Sequence, residues 1–564
     1  MFKKILIIAV LIFASINLYS QNNYGVKRLS KEDINKIKNQ IDLTNKRSNV
    51  NKAFHKTMAG KVAIADYIDN STSKYFPPII SQEKGSCSCA STVYYIFTYD
   101  YNKMENRISS ESDNQFAYLF TYNLVNDGYD SGSYGYDVMR SLYYHGAMPK
   151  NTYNTNSITE WPNGYSKYFA ALHYRINGYY YWFSDEEENA IEEMKTFLYN
   201  AESNSKEGGL LEFECAVGNG YDIFKDYSGE SNTGYKKIVP EFAHDYDGMH
   251  ALTLAGYDDK VWYDYDEDGE KDDNELGAFI CVNSWGSTWG DRCRFYIPYR
   301  TFSDEMEITT GGIGNGSKLI LGLAPKTFQP KLMLKLFLQH NSRNDINLYA
   351  GALDANGNEI SRQAVSQFNN LGGDHPMRGI NGKEKLEIGV NISDVYNESA
   401  VGYYVQICDT IVQIANSDET TKGLMPAENT GKLLACSLLD YSNGDSNPAE
   451  YIGNISTYSL KDKISSTAKF SLNNAVIDDG KDISYRYYYN NDNLYTFRFN
   501  VSVKSLLKAG IYSKEGKLIV SLFDGYLETG VETKTFDIGK ESLDLSKNYI
   551  LRIYVNNRID YIKL

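Results

Sequence analysis

Three positions far apart in the chain carry residue types that together perform nucleophilic catalysis on a carbonyl group. They are Cys87 in the segment GSCSCAS, His250 at the start of HALTLAGYDD, and Asn283 in CVNSWGSTWGD. A cysteine thiolate attacks a carbonyl carbon, an imidazole moves the proton, and an amide oxygen orients the imidazole ring. The last segment also uses two of the five tryptophans in the chain, which makes it a costly pattern to meet by chance. We therefore predict thiol chemistry at a site built from these three residues.

The order Cys, then His, then Asn-Ser-Trp-Gly resembles the papain family of cysteine peptidases. The resemblance implies an α+β peptidase domain over residues 60–325, with a helical lobe and a β lobe, followed by all-β sandwich domains. It implies that Cys87 is the nucleophile, that His250 is the general base and then the general acid, and that Asn283 orients the ring. The implied reaction is hydrolysis of peptide bonds in protein or peptide substrates through an acyl-enzyme, with no cofactor for catalysis.

Two neighbouring cysteines, Cys87 and Cys89, compete for the role of nucleophile. Members of the family show Ser-Cys-Trp-Ala-Phe-Ser with a valine two residues later. Placing Cys87 at the nucleophile aligns both serines and the valine, whereas Cys89 aligns only the preceding serine. The run from Cys87 to Tyr101 predicts a buried aromatic helix, and the free amides at its start favour a thiolate. Cys87 is therefore the preferred nucleophile.

The resemblance also suggests three residues around the reacting groups. Gln82 would donate its side-chain amide, beside the N–H of Cys87, to the oxyanion that develops on the carbonyl. Trp285 would cover the hydrogen bond between the histidine and the asparagine. Gly132, in the segment GYDSGSYGYD, would let the substrate backbone lie close to the enzyme. An exposed loop glutamine and a plain turn are the alternatives for Gln82 and Gly132.

The chain departs from the family pattern at two places near the nucleophile. Ser88 stands where the family has tryptophan, and the segment from Gln82 to Cys87 is one residue shorter. These departures support an alternative function, a catalytically inactive papain-like scaffold that serves as a surface adhesion or binding protein. A third alternative keeps the thiol for transfer chemistry instead of proteolysis.

An acidic insertion separates the histidine strand from the asparagine strand. It matches D-x-D-x-D-G followed by five residues and Glu, a calcium-loop pattern. Eight acidic residues stand against one lysine between residues 264 and 275, so the loop repels itself without a cation. We predict a structural Ca²⁺ here, with strands rather than helices on either side; the alternative is a solvated acidic hairpin tip. The predicted ligands are Asp264, Asp266, Asp268, Glu270 (through its carbonyl) and Glu275.

Length and charge bound the remaining functions. The chain has 564 residues and a formal net charge of -15, which argues against partners such as nucleic acid that need a positive surface. Residues 1–20 predict a secretory signal peptide and no other run predicts a transmembrane segment, so we expect a secreted or bacterial cell-surface protein. Residues 21–59 predict a flexible leader or a short propeptide. The seven cysteines leave at least one thiol free in a monomer, while pairs Cys408–Cys436 and Cys281–Cys293 stay open as bridges.

The rest of the chain alternates apolar and polar residues, as in KLMLKLFLQ from Lys331 and LYTFRFNVSV from Leu494. This period of two predicts half-buried strands. We predict a β-sandwich domain over 326–455 and an immunoglobulin-like domain over 456–564. The second resembles the C-terminal modules of bacterial exported proteins, some of which are sorting signals read by outer-membrane secretion machinery. An ordinary accessory sandwich is the alternative.

Overall fold

The computed structural model describes most of the chain beyond residue 63 and a short helical piece before it. The described residues are 35–37, 39–41, 64–155, 157–183, 189–199, 208–217, 224–242, 248–302, 319–340, 342–354, 358–365, 367–368, 371–379, 385–409, 432–442, 448–460, 463–471, 483–490, 494–501, 504–513, 517–537, 549–555 and 558–563.

An eight-stranded antiparallel sheet organises the first half of the chain. Its longest strand is also its centre, because β5 pairs with four other strands. The strand order is β2-β8-β3-β5-β6-β7, and β1 and β4 pair with β5. The bounds are β1 Tyr67–Asp69, β2 Tyr174–Phe183, β3 Leu211–Val217, β4 Ser228–Gly229, β5 Gly248–Trp262, β6 Leu276–Val282, β7 Arg294–Pro298 and β8 Leu319–Thr327.

Within the described residues from 64 on, five helices accompany this sheet. The first, α1, is continuous: an α-helical turn at Cys87–Cys89, π-helical turns over Ala90–Phe97, and an α-helix over Thr98–Glu105. The others are α2 Tyr118–Val125, α3 Gly135–Tyr144, α4 Tyr165–Leu172 and α5 Ala190–Tyr199. Short 3₁₀ turns lie at Asn70–Thr72, Ser112–Asn114, Lys150–Thr152, Asp273–Glu275, Tyr299–Phe302, Arg343–Asp345 and Ser393–Val395.

Alternation along the strands gives the sheet a core on each face. In β8, Leu319, Leu321 and Leu323 pack with α1 and α3, whereas Ile320 between them packs on the other side with α5. Side chains of a strand point to opposite faces in turn, so a run of apolar residues fills both cores at once.

Helix α1 is buried along most of its length, as the sequence predicts. Its apolar and aromatic side chains from Val93 to Phe97 are at most 1% exposed. A helix that is apolar on all sides has no solvent face and must lie inside the fold. It ends at Asn106, which adopts the left-handed conformation that terminates helices.

Two further sheets follow β8 and share one core. The four-stranded sheet has the order β12-β9-β14-β15 and the five-stranded sheet has the order β11-β10-β13-β17-β16, all antiparallel. We call these nine strands the first β-unit: β9 Leu332–Gln339, β10 Ile346–Leu353, β11 Glu359–Ala364, β12 Lys385–Asn391, β13 Gly402–Asp409, β14 Lys432–Asp440, β15 Ala449–Ile452, β16 Asn454–Leu460 and β17 Lys463–Ser471.

The core of the first β-unit also contains side chains from the helices. Phe120 of α2, Tyr168 of α4 and Trp161 belong to the same buried cluster as Leu334 and Val405 of the strands. The helical part and the first β-unit are therefore joined by a shared apolar core.

The last strands form a three-stranded and a four-stranded sheet, which also share a core. The orders are β18-β19-β22 and β21-β20-β23-β24. The bounds are β18 Ile483–Asn490, β19 Leu494–Val501, β20 Ser505–Ser513, β21 Leu518–Leu527, β22 Gly530–Asp537, β23 Tyr549–Val555 and β24 Arg558–Lys563.

The predicted division between the two β-domains near residue 455 is too early. Strand β17, at 463–471, pairs along its length with β13, and β16 pairs with β17. This pairing joins segments about 60 residues apart in the chain, so local alternation does not reveal it. The strands of the first β-unit therefore extend to Ser471, and the next described strand begins at Ile483.

Neither of the disulfides left open by the sequence is present. Among the described side chains, the cysteines that form no disulfide are Cys87, Cys89, Cys215, Cys281, Cys293 and Cys436, all buried. A free Cys436 excludes its bridge to Cys408.

Two further sequence predictions concern residues 1–59. The proposed signal peptide, residues 1–20, lies outside the described residues. Within the predicted leader, 35–37 and 39–41 are helical, and Ile37 and Ile41 are buried against the core that contains α1. Among the described residues, no helix is long and apolar enough to cross a membrane.

Candidate active site

Cys87 lies at the first residue of α1 and is fully buried. The turn before it is held in place from the glycine-rich segment. Asp130 accepts hydrogen bonds from the backbone N–H of Gly85 at 3.1 Å and from the hydroxyl of Tyr122 at 2.7 Å. A carboxylate that binds two donors fixes the loop that leads to Cys87.

The glycine-rich segment lies against the start of α1. Gly132 adopts a φ of +87°, a conformation that favours glycine, and a Cβ added at Gly85 would lie 3.2 Å from the nitrogen of Gly132. One residue on, the hydroxyls of Ser133 and Ser88 are hydrogen-bonded at 2.5 Å. Ser88, which stands where the family has tryptophan, is therefore a buried polar contact between helix and loop.

His250 lies near the start of β5 and is fully buried. Its Nε2 lies 2.7 Å from Oδ1 of Asn283, while its Nδ1 is buried without a hydrogen-bond partner among the described residues. Because an amide oxygen only accepts, Nε2 carries the proton and Nδ1 of the neutral ring is a basic lone pair. Burial lowers the pKa of His250 to about 4, and the hydrogen bond to Asn283 opposes that effect.

Asn283 is held by the backbone and by side chains on both sides. Its N–H donates to the carbonyl of Cys293 at 2.9 Å, and its carbonyl accepts from the hydroxyl of Tyr95 at 3.2 Å and from Sγ of Cys293 at 3.0 Å. Its Oδ1 also accepts from the N–H of Ser284 at 2.6 Å. These contacts orient the amide oxygen toward the histidine ring.

Trp285 packs against this hydrogen-bonded pair. Its ring centroid lies 4.6 Å from that of His250, with 33° between the planes. Trp289 supports it edge-on, at 5.1 Å and 83°, and also packs against Phe295 in the core behind β5. An aromatic cover excludes water and strengthens the hydrogen bond beneath it.

Gln82 is buried and reaches the segment that contains Asn283. Its N–H donates to the carbonyl of Ser284 at 2.7 Å, and its Oε1 accepts from the hydroxyl of Ser284. Its Nε2 donates to the carbonyl of Lys84 at 2.8 Å. The side chain is therefore fixed in orientation, and it is not an exposed loop residue.

The packing of α1 against β5 brings Cys87 close to the strand that carries His250. Ala251, the residue after His250, is buried against Cys87, with Tyr134 and Met249 packed beside them. Further along, the hydroxyl of Ser91 in α1 is bonded to the hydroxyl of Thr253 in β5 at 2.7 Å. These two contacts, one apolar and one hydrogen-bonded, fix the start of α1 against β5.

The acidic insertion divides the predicted calcium ligands. Ligand atoms of Asp264, Asp266 and Asp268 lie within 4.8 Å of one another and form the acidic group that is able to hold a cation. Glu275 is buried and is not part of that group, since its Oε1 accepts from the N–H of Tyr265 at 2.7 Å. The N–H of Glu270 donates to Asp268 at 2.7 Å, and a role for its backbone carbonyl as a ligand stays a prediction.

Sequence reasoning missed the residues that support the site. Asp130 holds the turn before Cys87, and Ser133 holds the glycine-rich segment to α1. Ser284 holds Gln82, and Tyr95 holds Asn283. Each is a common residue in a polar or aromatic stretch, so only the contacts identify it. The one available signal was proximity in sequence, because Ser284 follows Asn283 directly.

Comparisons with known proteins give distant structural similarities only. No protein-family model matches the chain, and no curated protein matches it. Among solved structures, xylellain, a cysteine protease from Xylella fastidiosa, is 18% identical, covering 50% of this chain and 90% of that one at a TM-score of 0.32. The bromelain protease from Ananas comosus is 15% identical, covering 46% of this chain and 99% of that one at 0.31. A digestive procathepsin L 3 from the larval midgut of Tenebrio molitor is 14% identical, covering 47% and 71% at 0.30.

Proposed function

We propose that this protein is a cysteine peptidase that hydrolyses peptide bonds through an acyl-enzyme on Cys87. One observation carries the proposal: Nε2 of His250 is held by Asn283, its basic Nδ1 has no hydrogen-bond partner in the described part of the chain, and the next residue packs against Cys87. A buried nitrogen with no partner is costly, and a chemical role is one explanation for keeping it. Accepting a proton from a thiol is the role that this geometry supports best.

The proposed reaction proceeds in two balanced halves. Sγ of Cys87 bonds to the carbonyl carbon of the substrate as its proton passes to Nδ1 of His250. The carbon–nitrogen bond then breaks, and the imidazolium returns that proton to the leaving amine. Water enters next, gives a proton to His250, and bonds to the carbonyl carbon. The thioester bond breaks, and the thiol regains its proton.

Gln82 supports this sequence as the proposed donor to the oxyanion. An amide nitrogen carries two hydrogens, so a bond to the carbonyl of Lys84 is compatible with a second bond to an oxyanion. The bond from Ser284 to Oε1 fixes which end of the amide is the nitrogen, because a hydroxyl donor selects the oxygen. A donor fixed before the reaction stabilises developing charge without reorganisation.

The proposal requires a movement at the site. Cys87 and His250 are both fully buried, and the partly buried side chains of Tyr134 and Met249 pack against Cys87 and Ala251. A substrate carbonyl reaches Sγ only if one or both of these side chains move aside. Conformational opening of this kind is common in enzyme sites.

Hydrolysis of casein by purified protein tests the proposal, with Cys87→Ala and Cys89→Ala compared side by side. Removing the nucleophile lowers kcat by about 1000-fold or more, so Cys87→Ala is expected to be inactive. Cys89→Ala is the matched control, since Cys89 is equally buried two residues away. Activity retained by Cys87→Ala and lost in Cys89→Ala contradicts the assignment; no activity in the wild-type protein supports the inactive-scaffold alternative.

We further propose that the chain is exported. The support is sequence alone: Lys3 and Lys4 precede an apolar run and then small residues. On that reading the last domain, from residue 483, engages secretion machinery at the outer membrane. N-terminal sequencing of secreted protein tests cleavage near residue 20, and retention of a variant lacking 483–564 tests the role of the last domain.

We also propose that Asp264, Asp266 and Asp268 hold a structural Ca²⁺. Three carboxylates this close repel each other, and a hard divalent cation with oxygen ligands relieves that repulsion. The loop joins β5, which carries His250, to β6, which leads to Asn283. A bound cation would therefore stiffen the connection between the two.

A further inference from the structure

Two glutamates are buried beneath the candidate site, and the proposed mechanism does not use them. Glu212 and Glu214 are 1% and 4% exposed. Their neighbours in β3, Leu211, Phe213 and Cys215, fill the core on the other side of the sheet. By the alternation of a strand, both carboxyls therefore point toward the helices. We call these two residues the glutamate pair.

The pair is incompletely satisfied. Oε1 of Glu214 accepts a hydrogen bond from the N–H of Gly135, the first residue of α3, at 2.7 Å. Oε1 of Glu212 is buried with no hydrogen-bond partner, and no lysine or arginine within the described ranges forms an ion pair with either carboxyl. Burial raises the pKa of both carboxyls, and the charges of Glu214 on Glu212 and of Asp137 on Glu214 raise them further. A buried acceptor without a donor is expensive and calls for an explanation.

The register of the sheet places the pair next to the nucleophile. Glu214 is opposite Ala251 in the pairing of β3 with β5, and Ala251 packs on Cys87. Glu212 is opposite Thr253, one step deeper along the same strand. Both glutamates therefore lie on the strand next to the one that carries His250 and Ala251, on the face that α1 covers.

Gly135 leaves space for this arrangement. A Cβ at Gly135 would lie 2.5 Å from Oε2 of Glu212, closer than atoms approach. The residue before it, Tyr134, is one of the two partly buried side chains packed against Cys87 and Ala251, and Met249 is the other. The movement that admits a substrate at Cys87 therefore opens toward the glutamate pair as well.

We propose that the glutamate pair binds a lysine or arginine side chain of the substrate close to the scissile bond. The inference rests on the proposed peptidase function and adds the substrate class. A guanidinium has five donors in a planar fork, enough to bond Oε1 of Glu212 and still reach Glu214. It also supplies the positive charge that two adjacent buried carboxyls lack. A neutral donor such as an amide could bond the same oxygen but would not supply the charge.

The test uses pairs of peptide substrates, one pair for each position flanking the scissile bond. Within a pair, that position carries arginine in one peptide and citrulline, a neutral side chain of nearly the same shape, in the other. At one position, kcat/KM is expected to favour arginine by about tenfold or more, the effect of one favourable charge pair. In Glu212→Gln and in Glu214→Gln, measured separately, the ratio of the two rates is expected to fall to within about twofold.

The ratio is measured within each variant, so partial unfolding cancels. Glu387→Gln is the matched control: Glu387 is a buried glutamate of β12 that accepts from the N–H of Tyr165 at 2.8 Å, in a core remote from Cys87. It is expected to keep the wild-type ratio. If both peptides are cut at equal rates, or if both glutamine variants keep the preference, the inference is overturned and the peptidase proposal stands. If neither peptide is cut by folded wild-type protein, the peptidase proposal itself fails.

Discussion

His250 determines how activity should depend on pH. Burial lowers the pKa of this imidazole to about 4. Only the unprotonated ring can act as a general base, and that form dominates above the pKa. We expect kcat/KM to fall on the acid side near pH 4. The profile should be measured with the citrulline peptide, so that the charge of the glutamate pair does not contribute through substrate binding. A fall near pH 6.5, the value of an ordinary histidine, would contradict a buried neutral base.

Gln82 gives a second prediction at the scale of single residues. Gln82→Ala is expected to lower kcat by about 100- to 1000-fold, the usual cost of one oxyanion donor. Gln82→Glu is the informative partner, because a carboxylate still accepts from Ser284 but cannot donate to an oxyanion. Both variants should lose kcat more than they raise KM. Full activity in Gln82→Glu would exclude the donor role.

The glutamate pair predicts the effect of pH on stability. Both pKa values are raised on folding, so the folded protein binds more protons than the unfolded chain above about pH 4.5, the ordinary value. Stability from this pair is present at low pH and is lost as pH rises. Glu214→Gln should therefore flatten the fall in melting temperature between about pH 5 and pH 8. An unchanged slope would show that other groups cause it.

The hairpin that links β5 and β6 has a proposed role, calcium binding, that can be tested separately from catalysis. If Asp264, Asp266 and Asp268 bind Ca²⁺, saturating calcium at about 100 times its dissociation constant adds about 2.7 kcal/mol to the free energy of unfolding. A higher melting temperature with calcium than with a chelator would reveal this. Asp266→Asn should abolish the difference, whereas Asp273→Asn, an exposed aspartate of the same hairpin outside the acidic group, should keep it. Identical melting curves with and without calcium would rule the site out.

The first β-unit and the helices behave as one body at the scale of the whole molecule. Arg343 is fully buried and donates to the carbonyls of Thr159 and Gly372, each at 3.1 Å, while its guanidinium stacks on Trp161 at 4.7 Å. Arg378 and Glu160 form an ion pair across the same boundary at 3.2 Å. These contacts lie at the edge of the shared core, in which Phe120, Trp161 and Tyr168 are buried.

Truncation tests this continuity. A chain that ends at Thr327 exposes Phe120, Trp161 and Tyr168 to water and is expected to aggregate or lose its cooperative melting transition. A chain that ends at residue 471 keeps the shared core and should melt like the full-length protein. The comparison uses circular dichroism and size-exclusion chromatography. A soluble, cooperatively folded chain ending at Thr327 would show that the two parts are independent domains.

The sequence predicts the local parts of this architecture and misses the long-range ones. The helix from Cys87, the strand from His250 and the acidic turn follow from composition and period, which act over a few residues. The burial of Glu212 and Glu214 does not follow from composition and period. An alternating strand predicts one solvent-exposed polar face, and only the packing of α3 shows that this face is covered. The pairing of β17 with β13 and the core shared with α4 are likewise set by packing between segments far apart in the chain.

The most direct test of the central claim is where a thiol-directed epoxide attaches. The native protein should be incubated with the inhibitor, digested, and mapped by mass spectrometry. The account predicts one label per chain, on Cys87, with labelling strongly slowed in His250→Ala because the thiol has lost its base. A label on Cys89 or another of the buried thiols, or no label on folded protein, would contradict it.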